Sequence, residues 1–316
     1  MINDKVWHKG LLYKLTETAL PIVVVHLLRS YLTGRSFRAS VGSELSTERP
    51  IESGVPQGSV LGPVLYLIFT NDIPTVPRIS LSLYADDALF ICRSASPQMA
   101  RNTMQRQMDT LSPWLEKWRI AVNADKSTAI CFRKQRRMPT RLLDPPSLDG
   151  ENIEWKSQAK YLGVTLDSKL NFAPHAKKKL AEAKKIQGLM APLLGKRSSL
   201  PSRTKVTMFM LVVRSVIMYA SSAWWALCAK SHKQNLEIVQ NKFLRAVSKQ
   251  PWFVRNETIR RGLQVPTLDQ HARTTARKFF TAIAGSGLPH IAQMAVRYDI
   301  PEDYRPRPAA IFDQPP

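Results

Sequence analysis

Cysteine is scarce in this chain, and its spacing excludes the usual cysteine-based sites. The 316 residues include three cysteines, Cys92, Cys131 and Cys228, and none belongs to a Cys-x-x-Cys pair. The six histidines form no pair at metal-ligand spacing, so we do not expect a zinc site. We interpret the three cysteines as buried free thiols of a protein in a reducing compartment.

A secretory leader and an uninterrupted membrane span are also lacking. Residues 1–5 are not followed by an apolar region with a small-residue cleavage site. The best candidate for a span, residues 206–228, contains Arg214 near its centre, which costs about 2.5–3.5 kcal/mol on insertion scales. We therefore predict a buried helix there, and an intracellular protein of the nucleus or cytoplasm with no membrane partner.

Acidic residues are few and unevenly placed. The chain has 46 Lys and Arg against 24 Asp and Glu, a net charge of +22. Such an excess indicates a polyanionic partner, nucleic acid before membrane. Residues 51–90 contain one basic residue and four acids, whereas residues 169–249 contain 16 basic residues and two acids. This segregation is expected where a metal site lies beside a surface that binds phosphates.

Two of the rare acids stand side by side in the tetrad Tyr84-Ala85-Asp86-Asp87. Residues 81–84 and 88–92 have the composition of strands, so we predict a β-hairpin with both carboxylates at its tip. Adjacent like charges repel and apolar strands desolvate them, a difficulty that a bound Mg²⁺ would remove. The alternative is a solvated turn, since Asp favours turns.

A glycine- and proline-rich segment, residues 53–63, lies just upstream of the tetrad. Gly54 and Gly58 permit close backbone approach, Pro56 stiffens the segment, and Gln57 offers both a donor and an acceptor. The segment therefore suits a binding loop. The alternative is a loop that only opens the buried helix predicted at residues 63–69.

Together, the two motifs resemble the palm of a reverse transcriptase of the non-LTR retrotransposon type, closest to jockey-like elements. The resemblance extends over most of residues 4–170 and is thinner beyond them. It is carried by Gly54 to Ser59, Tyr84 to Asp87, the segments 5–12 and 30–39, Asn123 to Ser127, Tyr161 to Val164, and Leu263 to Leu268.

The resemblance implies an α+β fold in which an antiparallel sheet with helices on one face forms the palm, followed by a mainly helical thumb. The palm would span residues 1–170 and the basic thumb residues 171–250. A helical extension would occupy residues 251–303, and the proline-rich residues 304–316 would form a disordered tail.

The resemblance also implies template-directed addition of dNTPs to a primer 3′ hydroxyl, with an RNA template, a DNA primer and two Mg²⁺ ions. Asp86 would be the main metal ligand, with Asp87 in a less direct role. Lys126 would donate a proton to the leaving pyrophosphate, or it is an ordinary surface lysine. Substrate contacts would come from Tyr84, Gly54, Pro56, Gln57 and Gly58.

The family's other essential aspartate would precede Asp4 by six residues, before the start of this sequence. The family's fingers region and its endonuclease domain have no counterpart here either. The resemblance thus predicts a truncated element copy or a gene model that begins late, with little or no primer extension. The alternatives are a non-enzymatic nucleic-acid-binding remnant of the fold and an unrelated basic helical protein.

Local patterns predict the remaining elements. We expect a helix from Lys5 capped by Asp4, helices at residues 22–32 and 96–118, two strands within residues 36–53, and strands at residues 129–132 and 160–166. A helix from Phe172 would carry a basic row. This row would contact template-primer phosphates, or it is a solvated face. Its members are Lys177, Lys178, Lys179, Lys184 and Lys185.

Overall fold

The computed structural model describes residues 6–56, 58–132, 143–194 and 198–295. They form two compact units, the first from residues 6–131 and 143–156, the second from residue 132 and residues 157–295. Helices and small antiparallel hairpins alternate in the first unit, and helices dominate the second, so the α+β class is confirmed.

In the described residues, the first unit contains four α-helices and four pairs of short antiparallel strands. Its elements are α1 (His8–Thr16), α2 (Ile22–Leu32), β1 (Ser36–Phe37), β2 (Ser40–Val41), β3 (Glu44–Leu45), β4 (Arg49–Pro50), α3 (Leu61–Thr70), β5 (Ile79–Tyr84), β6 (Asp87–Cys92), α4 (Pro97–Lys117), a 3-10 turn (Ala124–Lys126), β7 (Ser147–Leu148) and β8 (Glu151–Asn152).

Apolar faces of the four helices make the core of the first unit. On α4, which the sequence predicts at residues 96–118, Met108, Leu111 and Leu115 are buried at helical spacing. They pack with side chains from the other helices, including Leu11, Leu15, Leu28, Leu32, Leu65 and Phe69. The Ser96 hydroxyl accepts a hydrogen bond from the Met99 amide, which fixes where α4 begins.

The strands pair only locally. Among the described residues they form separate two-stranded antiparallel sheets, β1 with β4, β2 with β3, β5 with β6 and β7 with β8. The single antiparallel sheet expected from the resemblance is therefore not seen in the described part of the chain. Short turns join β2 to β3, β5 to β6 and β7 to β8, whereas β1 pairs with β4 across the segment that contains the hairpin β2–β3.

Two local predictions in the first unit are wrong. Helix α1 begins at His8 rather than Lys5, because Trp7 has extended backbone and bridges to Ser53. The predicted cap, Asp4, lies outside the described residues. The strand expected at residues 129–132 is reduced to one bridge, between Ala129 and Trp155.

A buried lysine ties three helices of the first unit together. The Lys14 ammonium donates to the Phe69 carbonyl at 2.5 Å and forms an ion pair with Asp72. It also lies 3.8 Å from the centroid of the Trp118 ring. Burial lowers the pKa of Lys14, and the nearby Asp72 carboxylate partly offsets that effect.

The second unit begins with a hairpin and continues as helices. Its elements are β9 (Gln158–Tyr161), β10 (Val164–Asp167), α5 (Ala173–Leu189), α6 (Ala191–Leu194), α7 (Ser202–Met208), a π-helical segment (Phe209–Arg214), α8 (Ser215–Met218), α9 (Ser221–Trp224), α10 (Lys230–Ser248), α11 (Asn256–Gly262), α12 (Leu268–Ala284), α13 (Pro289–Ala292) and a 3-10 turn (Gln293–Ala295).

The single strand predicted at residues 160–166 is instead the hairpin β9–β10. Leu162 and Gly163 both have positive φ, so the chain reverses between the two strands. Gly163 is required there: a Cβ would lie 2.9 Å from the Tyr219 ring. The Asp167 carboxylate then accepts hydrogen bonds from three backbone amides, including that of Phe172 at 2.7 Å, and so shapes the entry to α5.

Large aromatic and aliphatic side chains fill the second core. The α10 residues Leu236, Val239, Phe243 and Val247 recur at helical spacing and are buried together. On α5 and α6, Ala183 and Leu194 are buried, whereas Leu193 is exposed.

The apolar stretch Ser202–Trp224 is long and apolar enough to cross a membrane by length and composition, with a mean hydropathy of 1.6. A core helix of a water-soluble protein would pass the same test. Phe209, Val213, Ile217 and Trp224 are fully buried in the second core, whereas 33% of the window as a whole is buried and Leu211 is exposed. The prediction of a buried helix therefore holds for one face of the stretch.

The three cysteines are free, as predicted, but only Cys228 is buried. Burial raises the pKa of the Cys228 thiol to about 11. This thiol therefore stays protonated at neutral pH and behaves as a small core side chain.

The buried His175 of α5 predicts a pH-dependent stability of the second unit. Burial, with a smaller contribution from the charge of nearby Lys179, lowers the pKa of His175 to about 4. Because the folded pKa lies below the ordinary value of 6.5, stability present above pH 6.5 is lost as the pH falls towards 4. We expect a loss of about 3 kcal/mol over this window.

Urea denaturation of the second unit between pH 7 and 4 checks this expectation. His175→Gln should flatten the pH dependence of the free energy of unfolding. Ala183→Gly removes a buried methyl group from the same helix without removing a titratable group, so its pH dependence should match that of the wild type. Equal pH dependence in His175→Gln and the wild type would contradict the prediction.

Candidate active site

The hairpin β5–β6 places the two adjacent carboxylates at its tip, as predicted. The strands pair in register from Ile79 opposite Cys92 to Tyr84 opposite Asp87. Ala85 and Asp86 form a two-residue loop, and Ala85 has a φ of +47°. Asp86 therefore lies in the turn itself, and Asp87 is the first residue of β6.

The two carboxylates differ in environment. Asp87 is exposed, whereas Asp86 is half-buried. The Oδ1 atom of Asp86 is buried and has no hydrogen-bond partner. A buried carboxylate oxygen without a donor is costly, so the conformation favours a ligand that supplies positive charge.

Tyr66 of α3 shares the electrostatic environment of Asp86. Burial raises the pKa of Tyr66 to about 12, and the negative charge of Asp86 contributes to the increase. The Tyr66 hydroxyl therefore keeps its proton at neutral pH and adds no second negative charge near Asp86. Nothing in the apolar stretch 64–69 marks this tyrosine as part of a site, and the sequence analysis did not identify it.

The chemistry of this loop fits a divalent cation. Mg²⁺ prefers carboxylate oxygens, is often bound by only one or two of them, and keeps positions for water and phosphate oxygens. The unpartnered Oδ1 of Asp86 is such an oxygen, with the Asp87 carboxylate next to it in sequence. Among the residues that the structure describes, no three His, Cys, Asp or Glu side chains converge as a metal-binding group.

The glycine-rich segment is held firmly at both ends. At its start, the Gly54 amide donates to the Val6 carbonyl at 2.9 Å, and Nε2 of the buried His8 donates to the Gly54 carbonyl at 2.7 Å. No pattern in the sequence marks His8 as part of a site. Gly54 and Gly58 have φ values of +91° and +77°, which favour glycine.

At the end of this segment, Ser59 organises the first turn of α3. Its hydroxyl donates to the Pro56 carbonyl and accepts from the Gly62 amide, both at 2.9 Å. A Cβ on Gly62 would lie 2.6 Å from the Pro56 carbonyl oxygen. The segment thus opens helix α3, in agreement with the second of the two interpretations of residues 53–63. Its contact with a nucleotide stays a prediction, and Gln57 lies outside the described residues.

Tyr84 and Lys126 are both exposed. The Tyr84 ring is accessible on the last residue of β5, next to the loop that carries Asp86. Lys126 ends a 3-10 turn, and its backbone amide donates to the Asn123 side chain at 3.1 Å. The exposed position of Lys126 suits either interpretation of this lysine, and its proposed role stays a prediction.

Four of the five lysines of the basic row on α5 are exposed: Lys177, Lys178, Lys184 and Lys185. Exposure suits a phosphate contact and a solvated face alike, so the contact stays a prediction. Lys179 differs. Its side chain is 13% exposed, pairs with Glu182 at 3.0 Å, and lies 5.7 Å from the centroid of the Tyr219 ring. Lys179 is therefore less available to a polyanion than its neighbours.

Comparison with known proteins agrees with the resemblance seen in the motifs. Residues 3–166 match the family described as reverse transcriptase (RNA-dependent DNA polymerase). This segment contains the Gly54 to Ser59 block, the tetrad with Asp86 and Asp87, and the Asn123 to Ser127 block.

Similar proteins come from mobile elements of Drosophila melanogaster. The chain is 34% identical over 284 residues to the RNA-directed DNA polymerase from mobile element jockey, covering 87% of this chain. It is 34% identical over 283 residues to a probable RNA-directed DNA polymerase from transposon BS, again 87% of the chain. It is 35% identical over 271 residues to the X-element counterpart, 84% of the chain. The chain spans 29–31% of the length of these curated relatives.

Proposed function

The chain belongs to the reverse transcriptase (RNA-dependent DNA polymerase) family, and we propose that it contributes the polymerase domain of a jockey-like mobile element. The reaction is addition of dNTPs to a primer 3′ hydroxyl on an RNA template. The observation that carries the proposal is the buried, unpartnered Oδ1 of Asp86 at the tip of the β5–β6 hairpin. Primer extension, compared between the wild type and Asp86→Ala, tests it.

In this proposal Asp86 and Asp87 hold Mg²⁺. When bound there, Mg²⁺ would supply electrostatic stabilisation of the negative charge that develops during phosphoryl transfer. Asp86 offers an oxygen that is already desolvated, and Asp87 offers one from an exposed side chain. Because the Tyr66 hydroxyl stays protonated, the negative charge at the loop comes from the carboxylates of Asp86 and Asp87.

The segment from Gly54 to Gly58 positions the incoming nucleotide and the template base. Its anchoring at the Gly54 and Ser59 ends supports this role, because a preorganised loop loses little freedom on binding. Pro56, Gln57 and the exposed Tyr84 are the proposed contacts, and Lys126 is the proposed proton donor to pyrophosphate.

The domain assignment remains part of the proposal. We assign the palm to residues 1–170, the thumb to 171–250 and a helical extension to 251–303. In the structure, the hairpin β9–β10 belongs to the second compact unit rather than the first. The tail at residues 304–316 lies outside the described residues.

The thumb is proposed to bind nucleic acid through phosphates, and the exposed lysines of α5 supply the test. Replacing Lys177, Lys178, Lys184 and Lys185 with Ala should weaken binding without changing sequence preference. Because each phosphate contact contributes about 0.7–0.9 to the salt slope, the slope of log K against log salt should fall by about 3. Titration of a labelled primer-template duplex at several salt concentrations measures it.

Lys179→Ala is the matched control for that variant. Its partly buried ammonium already pairs with Glu182, so its salt slope should change by much less than that of the fourfold variant. Binding by the wild type that does not depend on salt would contradict the proposed phosphate contacts.

A second candidate function is nucleic-acid binding without catalysis, by the same fold. The exposed lysines of α5 favour it, because phosphate binding requires no metal. Extension of a labelled primer by the wild type above the Asp86→Ala background would favour the enzyme. Salt-dependent binding together with wild-type extension no higher than that of Asp86→Ala would favour the second function. The expectation of little or no primer extension predicts the same result.

A further inference from the structure

An aromatic pair stands exposed in the turn between α10 and α11. Trp252 is 87% exposed and Phe253 is 70% exposed. Their ring centroids lie 6.0 Å apart at an interplanar angle of 81°. An edge-to-face pair leaves the face of a ring free, and large aromatic side chains are seldom left in water without a use.

Arg245 of α10 holds this turn in shape. Its guanidinium donates to the Pro251 and Val254 carbonyls, on either side of the two aromatic residues. It also donates to the Asn256 side chain at 2.7 Å, at the start of α11. The aromatic pair is therefore presented on a turn that is fixed at both ends.

The sequence on both sides of the pair is strongly basic. Residues 242–261 contain six Lys and Arg and a single acid, Glu257. Four of the basic side chains are exposed: Lys242, Lys249, Arg255 and Arg261. The combination of exposed rings with exposed cations is typical of surfaces that bind single-stranded nucleic acid, where bases stack on rings and cations contact phosphates.

We propose that Trp252 and Phe253 form a stacking platform for an unpaired base of a single-stranded nucleic acid. The basic surroundings favour this occupant over an apolar protein segment, which would gain nothing from four cations. The proposal rests on the proposed nucleic-acid partner, but it adds a second contact that is independent of the hairpin carrying Asp86 and of the lysines on α5.

The test is the affinity of the full chain for a labelled single-stranded oligonucleotide and for the same strand with abasic sites. Trp252→Ala should bind the base-bearing strand about 5- to 150-fold more weakly, the range for one lost stack. Trp252→Phe should recover most of the loss, whereas Trp252→Leu, apolar but without a ring, should not. The salt slope of Trp252→Ala should match that of the wild type, because no phosphate contact is removed.

Abasic strands and a control variant separate stacking from other effects. The wild type should prefer the base-bearing strand, and Trp252→Ala should lose that preference. Leu211→Ala, which truncates a side chain that is 70% exposed in the same unit, should behave as the wild type.

Three outcomes would overturn the proposal. Unchanged affinity of Trp252→Ala would show that the ring is not used, and equal losses on both strands would show that no base stacks there. In either case salt-dependent binding by the wild type would leave the proposed function standing. A wild type that binds no nucleic acid at all would overturn both proposals.

Discussion

Asp86→Asn is expected to weaken divalent-cation binding at the β5–β6 loop by at least about 100-fold, since loss of even an outer-shell partner costs 10- to 100-fold. The buried Oδ1 of Asp86 has no donor, so a bound cation would supply the positive charge that the protein does not. The neutral amide keeps the shape of the side chain but removes that charge. Iron-directed cleavage, with Fe²⁺ replacing Mg²⁺, should cut the backbone near residues 84–88 in the wild type and not in the variant.

The stability of the folded protein distinguishes metal binding by Asp86 from a purely structural role of this carboxylate. In the presence of chelator, Asp86→Asn should be as stable as the wild type or more stable, because a buried unpaired carboxylate opposes folding. Asp125→Asn replaces an exposed acid in the same unit and should leave the cleavage pattern unchanged. Cleavage near residues 84–88 that persists in Asp86→Asn would show that Asp86 holds no cation.

Trp224→Ala is expected to destabilise the second unit by about 3–5 kcal/mol, the usual cost of removing a buried aromatic side chain. The Trp224 ring is fully buried, and its Nε1–H donates to the Tyr219 carbonyl at 2.9 Å. It also packs edge-to-face against His175 and Trp225, with centroids 4.9 and 5.4 Å away. The free energy of unfolding in urea, followed by far-UV circular dichroism, measures the loss.

A second tryptophan is the matched control. Trp252 is the same residue type in the same unit but is exposed, so Trp252→Ala should change stability by no more than about 0.5 kcal/mol. Equal losses in the two variants would mean that Trp224 is not part of a packed core. Trp224→Phe should lie between them, because it keeps much of the apolar volume but leaves the Tyr219 carbonyl without its donor.

Much of the local structure could be predicted because its causes are local in sequence. The period of apolar residues predicted α2 at residues 22–32 and α4 after the cap at Ser96. Two strands around a short turn predicted the hairpin that carries Asp86 and Asp87. Such predictions failed at Trp7, where a β-bridge to the distant Ser53 keeps the backbone extended and delays the start of α1. They also failed at Leu162 and Gly163, where positive φ values divide one expected strand into two.

The sequence by itself determined the family, through motifs in a fixed order, and the excess of positive charge that indicates nucleic acid. It could not determine which side chains of those motifs are buried, because burial depends on contacts between residues far apart in the chain. Only the tertiary structure showed that Asp86 is more buried than Asp87, that the charge of Asp86 acts on Tyr66, and that Lys179 is partly buried beside Glu182. It also left Trp252 in solvent while burying Trp224, a difference that composition and periodicity do not contain.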